Sequence, residues 1–474
     1  MTRFLALLLT LGLALPVAAQ PRNVVLILSD DHRYDFFGAH PEAPDFLETP
    51  AMDKMAAEGL HLANAFVTTS LCSPSRASIY TGQYAHNHGV VDNTSPVPPG
   101  TRFFPQDLQA AGVSTAFVGK WHMGEAADDP RPGFDHWVSF RGQGPYYNPT
   151  LNIDGERVPR EGYTTDLLTD YAVEWLEQQS DEEPFFLVLS HKAVHAEFMP
   201  AERHEGAYAD IDIPYPVTMA NTERNYRGKP HWVRAQRDSW HGVDYMYHGD
   251  LVFDQFYRRY AETLLALDES IGRVLAQLEE AGLADDTLVL YMGDNGFLLG
   301  EHGLIDKRNA YEASIRVPML AWAPGWIEAG SRTEGLVRNI DIAATFLELL
   351  GATSPIDMDG QSFLGMLRGE DPSGEDRAFL YEYYWEHAFP HTPTTFALRG
   401  NRYKYIYYHG IWDRFELYDL QTDPLERHNL IDAPGFAEIA DQMRRQLFDR
   451  LEAEDAMRVP LRRGSWQAGE RLQD

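Results

Sequence analysis

Cys72 is the only cysteine in the 474-residue chain, so it cannot close an internal disulfide. It opens the run Leu71-Cys72-Ser73-Pro74-Ser75-Arg76, with a proline two residues on and an arginine four residues on. The plain reading of a free cysteine is a small buried hydrophobe; the other is a residue with a part in chemistry, and the short run by itself leaves the two open. Short apolar runs elsewhere end in chemically capable residues: Asp30-Asp31, then Lys120 and His122, then His191, Lys192 and His195, then Asp294-Asn295. Asp30, Asp31, Asp294 and Asn295 offer only oxygen ligands. Crowded together, their carboxylates would repel one another without a cation between them, and such donors suit calcium or magnesium rather than zinc. Arg76, Lys120, His122, Lys192, His195 and Lys307 supply positive charge and proton carriers that can neutralise an anionic group. Taken singly, each has a dull explanation: a capping or turn acid, a structural histidine, or, for Lys307 in Glu301-His302-Gly303-Leu304-Ile305-Asp306-Lys307-Arg308, a solvated loop. The structural reading is kept for His191, His302 and the histidines of 200–250.

These residues need a scaffold that brings distant positions together. Apolar, β-rich runs at 23–29, 114–119, 185–190, 287–292 and 317–323 alternate with helical patterns at 104–111, 165–178 and about 255–282. In the last, Leu264, Leu267, Ile271, Val274, Leu275 and Leu278 form one stripe, and Gly282 is a stop signal. Continuous apolar strands alternating with helices predict an α/β fold with a mostly parallel central sheet covered by helices on both faces. Ligands bind such sheets outside the carboxyl ends of the strands, so the four charged ends should meet in one crevice. From about Arg377 the texture changes. The runs 380–385, 396–399, 403–408 and 415–420 predict an antiparallel sheet with turns such as Arg399-Gly400-Asn401-Arg402, and 436–452 predicts a last helix. The expected organisation is a domain at 20–376 and a smaller C-terminal α+β subdomain at 377–474, packed on it without a linker. Residues 200–250, rich in His, Tyr, Trp and Asp, are the least regular and are expected to face the substrate.

Residues 1–19 have the form of a signal peptide: Arg3, an apolar core at 4–15, then Ala18-Ala19. The core is too short to span a bilayer, and no cysteine follows it to carry a lipid. The expectation is an exported protein, periplasmic or secreted, without membrane insertion. With no second cysteine its stability must come from a core, which a chain of this length can bury. The formal net charge of −31 argues against nucleic acid or a generic polyanion as partner. An anionic substrate would need a local cluster of Lys, Arg and metal to override that field.

The run Cys72–Arg76, continued by Ala77-Ser78-Ile79-Tyr80-Thr81-Gly82, resembles the modification signature of the type I formylglycine-dependent sulfatases, whose fold is alkaline phosphatase-like. Tyr80 departs from it, standing where the family generally has leucine. Asn23-Val24-Val25-Leu26-Ile27-Leu28-Ser29-Asp30-Asp31 resembles the family's opening strand and metal pair. Gly119-Lys120-Trp121-His122-Met123-Gly124, Asp294-Asn295-Gly296, Glu416-Leu417-Tyr418-Asp419-Leu420 and Asp423-Pro424-Leu425-Glu426 match further motifs. The segments 85–93, Tyr146-Tyr147-Asn148, Ile305-Asp306-Lys307-Arg308 and Tyr311-Glu312 are similar to those of N-acetylglucosamine-6-sulfatases, while the His191-Lys192…His195 segment is of a type shared with iduronate-2-sulfatases.

The resemblance implies hydrolysis of sulfate esters on a sulfated carbohydrate. It implies that a formylglycine-generating enzyme converts Cys72 to formylglycine before folding. The hydrated aldehyde would join Asp30, Asp31, Asp294 and Asn295 around calcium, magnesium being the second choice, with Arg76 favouring its ionised form. Lys120 and Lys307 would hold the sulfate oxygens and Lys192 would bind substrate. His195, with Lys307, would protonate the departing sugar oxygen, and His122 would remove the proton that lets sulfate leave. A phosphonate or phosphate-ester hydrolase of the same superfamily is the alternative enzyme, and an inactive exported sulfated-glycan-binding protein the alternative outside catalysis.

Overall fold

A computed structural model describes residues 20–124, 127–237, 251–370, 378–411 and 413–460. The signal-peptide reading of 1–19 falls outside the described residues, as do 238–250 of the irregular segment and the boundary residue Arg377. Among the described residues there are two sheets. The strands, numbered along the chain, run across the larger sheet as β10 (Ser331–Arg338), β2 (Leu60–Phe66), β9 (Met319–Trp322), β8 (Thr287–Gly293), β1 (Asn23–Ser29), β7 (Phe185–Ser190), β3 (Ser114–Lys120), β4 (His136–Phe140), β5 (Thr150–Ile153) and β6 (Glu156–Pro159). The smaller sheet is antiparallel, in the order β11 (Phe379–Tyr383), β12 (Thr395–Arg399), β13 (Tyr403–Tyr408) and β14 (Glu416–Asp419).

The continuous apolar runs exist because successive side chains of a strand point to opposite faces and both faces are covered. Val24, Leu26 and Leu28 of β1 enter one core, while Val25 and Ile27 enter the other. All five are fully buried, each contributing about 1.5–3 kcal/mol relative to exposure. On one face the helix Phe253–Glu280 lays down its predicted stripe, with the helix Thr164–Leu176 beside it. On the other face lie the helices Cys72–Thr81 and Asp341–Leu349. The small sheet divides the same way. Tyr381, Tyr383 and Ile406 extend the main core, and Leu380, Leu398 and Leu417 pack on the helix Ala437–Ala453.

The sheet is mostly parallel, not wholly so. β9, expected as one more strand of the parallel set, runs antiparallel to both β8 and β2. The chain between β8 and β9 holds only the short helical segments Glu301–Gly303 and Glu312–Ile315. A parallel return is usually carried by a crossover helix packed on the sheet, and these segments are too short to be one. Strands β2, β4, β5, β6 and β10 have no counterpart in the sequence reading; most are short or carry polar residues such as His61 and Asn64.

Candidate active site

The four strands with charged ends are β8, β1, β7 and β3, and they are consecutive neighbours, all parallel. Ser29 pairs with Gly293, Leu28 with Ser190, and Gly119 with Ser190. The strands therefore stop level, and Asp30, Asp294, His191 and Lys120 emerge side by side. Gly119 makes this approach possible: its φ is +124°, and a Cβ there would lie 1.8 Å from the Ser190 carbonyl oxygen. Asp31 and His122 adopt left-handed backbone, φ 60° and 54°, which costs non-glycine residues energy. Hydroxyls hold both turns. Tyr260 Oη donates to the Asp31 carbonyl at 2.8 Å and accepts from Arg33 N at 3.0 Å, and Ser73 Oγ donates to the His122 carbonyl.

Cys72, the first residue of its helix, is fully buried at the centre of this crevice. Its Sγ lies 3.3 Å from Asp30 Oδ1 and 3.0 Å from Lys307 Nζ. Lys307 also pairs with Asp31 Oδ1, and Lys120 with Asp30 Oδ2. Arg76, one helical turn after Cys72, donates from Nε to Asp294 Oδ2 at 2.9 Å, and from Nη1 to the Lys120 carbonyl at 2.6 Å and Ser190 Oγ at 2.5 Å. His195 Nε2 stands 3.8 Å from Asp31 Oδ2, with its backbone carbonyl held by Tyr146 Oη at 2.6 Å. His122 Nδ1 is 3.4 Å from Ser73 Oγ. Lys192 lies over the Tyr146 ring, 4.7 Å from its centroid. Nine of the eleven predicted site residues are thus within one network of direct contacts; His122 touches Ser73, the residue after Cys72, and Lys192 borders the network. His191, read as structural, is buried with Nε2 3.0 Å from Ser270 Oγ; His302, also read so, is packed on Tyr311.

The charges conflict. Ligand oxygens of Asp30, Asp31 and Asp294 lie within 4.8 Å of one another. Burial pushes Asp30 up, but Lys120, His195, Lys307 and Arg76 together hold it well below the usual carboxylate range. Burial raises Asp31 against the pull of Lys307, with Asp30 adding to the rise. Asp294 is pushed up to about 7 by burial and by Asp30, in spite of Arg76. Burial and Lys120 lower His122; burial lowers His195, Lys307 and Lys120 adding to it. Lys192 falls to about 8 through burial and Lys120. Asn295 donates from Nδ2 to Asp31 Oδ1 and the Gly296 carbonyl, which turns Oδ1 inward, buried and without a donor. Three crowded carboxylates and an orphaned amide oxygen fit a hard cation.

The sequence pattern of the sulfatase family matches residues 22–352. The chain belongs to the sulfatase family. A second pattern, that of the N-sulphoglucosamine sulphohydrolase C-terminal region, matches residues 300–453 of this sulfatase. An N-acetylglucosamine-6-O-sulfatase of Bacteroides thetaiotaomicron is 33% identical, over 91% of this chain and 85% of its own. The human N-acetylglucosamine-6-sulfatase is 34% identical, over 80% of this chain and 71% of its own. A protein solved in complex with its substrate D-glucosamine-2-N,6-O-disulfate superimposes with a TM-score of 0.83 at 30% identity, over 93% of this chain and 99% of its own. The sulfatase is thus a sulfuric ester hydrolase with the alkaline phosphatase-like fold.

Two further residues that the sequence does not single out contact the candidate site of this sulfatase. Ser73 touches His122, and its N–H donates to Asn93 Oδ1 at 3.0 Å. Gln143 Oε1 accepts from Lys120 Nζ at 2.5 Å. The available signal is positional: Gln143 follows a strand end, in Phe140-Arg141-Gly142-Gln143-Gly144, but the five-residue strand before it, β4, leaves only a weak pattern in the sequence.

Proposed function

We propose that this sulfatase hydrolyses the sulfate ester of a carbohydrate of the N-acetylglucosamine-6-sulfate type, with Cys72 converted to formylglycine and calcium held by Asp30, Asp31, Asp294 and Asn295. The observation that carries the reading is the buried placement of Cys72 Sγ between Asp30 Oδ1 and Lys307 Nζ, 3.3 and 3.0 Å away. As a thiol, Cys72 is pushed up to about 12 by burial and by Asp30, so it stays protonated and a poor nucleophile. Because the side chain is fully buried, its conversion by a separate formylglycine-generating enzyme belongs before folding closes over it. When present, the hydrated aldehyde supplies an oxygen nucleophile, and the cation supplies positive charge that favours its ionised form.

The rest follows from the chain's own groups. Lys120 and Lys307 place ammonium groups where sulfate oxygens gain charge, and Lys192 adds positive charge beside them. Arg76 fixes Asp294 and the ends of β3 and β7 around the reacting position. Burial keeps His195 neutral before substrate arrives; the arriving anion favours its imidazolium, which then protonates the departing sugar oxygen. His122, kept neutral by burial and Lys120, is suited to take up the proton of the second step. Residues 1–19 direct export to the periplasm or medium, 20–376 form the catalytic domain, and 377–474 form the C-terminal subdomain. The amino-sugar assignment is drawn from the relatives.

Purified enzyme should be tested on 4-nitrophenyl sulfate and 4-nitrophenyl phosphate, then on N-acetylglucosamine-6-sulfate, glucosamine-N-sulfate, galactose-6-sulfate and iduronate-2-sulfate. Sulfate should exceed phosphate, and N-acetylglucosamine-6-sulfate should give the highest kcat/KM. Faster phosphate turnover would replace the reaction assignment; a different best sugar would replace only the substrate.

A further inference from the structure

Gln143 stands in the active site with no role in the scheme above. β4 runs parallel to β3, and Phe140 pairs with Lys120. The chain therefore leaves β4 level with the end of the strand that delivers Lys120. It then turns through Gly142 and Gly144, both left-handed at φ 56° and 65°. A Cβ on Gly144 would lie 2.4 Å from the Phe140 ring, so the turn is folded tightly against its own strand. The result is a half-buried Gln143 on a turn packed against its own strand, with Oε1 2.5 Å from Lys120 Nζ.

The chemistry of the pair fixes the amide's orientation. An ammonium group only donates, so its partner must be Oε1, and the amide nitrogen points the other way. Among the described residues that nitrogen has no hydrogen-bond partner, and it is not sealed from solvent. The neutrality of the side chain matters too. A carboxylate in its place would cancel the charge of Lys120 and repel an anionic substrate, whereas an amide holds the lysine and leaves its charge intact.

Resting on the sulfatase reading, we propose that Gln143 works from both ends. Its Oε1 positions Lys120 toward the sulfate group, and its amide nitrogen donates to an acceptor oxygen of the sugar next to the ester. It is thus a positioning residue for the reaction and a specificity determinant for the sugar.

The test is Gln143→Met, which keeps the length and removes acceptor and donor, with Gln143→Ala as a second variant should the longer chain disturb the loop. The probes are 4-nitrophenyl sulfate, which has no sugar, and N-acetylglucosamine-6-sulfate. On the first, kcat should fall about tenfold with little change in KM; on the second, kcat/KM should fall about a hundredfold, because one further hydrogen bond to the sugar is lost. Unfolding temperature should be unchanged. Unaltered kcat on 4-nitrophenyl sulfate would overturn the positioning role. Equal losses on both probes would overturn the sugar contact, and losses that track a lowered unfolding temperature would overturn both. A wild-type enzyme inactive on both sulfates would instead refute the function proposed above.

Discussion

The buried charges behind the Lys307 loop and those around Cys72 are built from the same residue types, yet only the first group largely satisfies itself. Behind the loop, Glu312 accepts from Arg399 Nη2 at 3.1 Å and Lys404 Nζ at 3.0 Å. Glu416 accepts from the hydroxyls of Tyr311, Tyr408 and Tyr418. Lys229 lies over the rings of Tyr311 and Tyr418, 4.2 and 4.6 Å from their centroids, and donates to Tyr418 Oη at 2.6 Å. Glu426 is the weak member, pushed up to about 7 by burial despite Lys404. Around Cys72, by contrast, Asp31 and Asp294 are both raised, and Asn295 Oδ1 and Arg76 Nη2 are buried without partners.

The difference separates scaffold from working site. The completed cluster ties the C-terminal sheet to the segment that delivers Lys307, through Glu312, Tyr311 and the Arg308–Glu386 pair at 2.9 Å. The small sheet thus holds a site lysine in place without entering the reacting cluster. The incomplete cluster keeps unsatisfied groups that a cation and an anionic substrate can satisfy.

The comparison can be broken in order of effect. Cys72→Ala should lower kcat by about ten-thousandfold or more, while the unfolding temperature stays near wild type; appreciable residual turnover of 4-nitrophenyl sulfate would exclude Cys72 as the source of the nucleophile. Glu312→Ala should do the reverse. It leaves the buried Arg399 without its carboxylate partner and Lys404 with Glu426 alone, at a cost of about 3–5 kcal/mol, read by denaturant unfolding, while kcat of the folded fraction falls far less than in Cys72→Ala. A neutral outcome would mean the cluster is not load-sharing.

A smaller effect concerns pH. In chelated protein, Asp294 titrates near 7 when folded and near its ordinary 3.8 when unfolded. Between those values the native state holds a proton that the unfolded chain has released, so this group's contribution to stability falls as pH rises. Buried histidines such as His122 and His195 are lowered and act in the opposite direction, so the effect has to be isolated by difference. Relative to wild type, Asp294→Asn should gain stability as pH rises from about 4 to 7 in EDTA, at a slope of about 1 kcal/mol per pH unit. A flat difference would show that the carboxylates do not conflict.

Much of this was legible from sequence, and the limits have physical causes. The bounds of β1, β7 and β13 coincide with their apolar runs because both faces of each strand are covered. The level meeting of four strand ends followed from strand-end residues and the parallel rule. Gln143 was not read because β4, His136-Trp137-Val138-Ser139-Phe140, is short and its flanking loop resembles an ordinary glycine turn. The Glu312–Arg399–Lys404 cluster left no periodic trace, since its members are brought together only by docking of the second sheet. The reversal of β9 likewise depends on the missing crossover helix, not on the strand's own residues.

The most direct test of the unfinished cluster is calorimetric titration of calcium into EDTA-stripped wild type, Asp294→Ala and Glu312→Gln. The expected result is one tight site per chain in wild type, its loss in Asp294→Ala, and its retention in Glu312→Gln. Absence of binding to wild type, or unchanged binding in Asp294→Ala, would contradict the account.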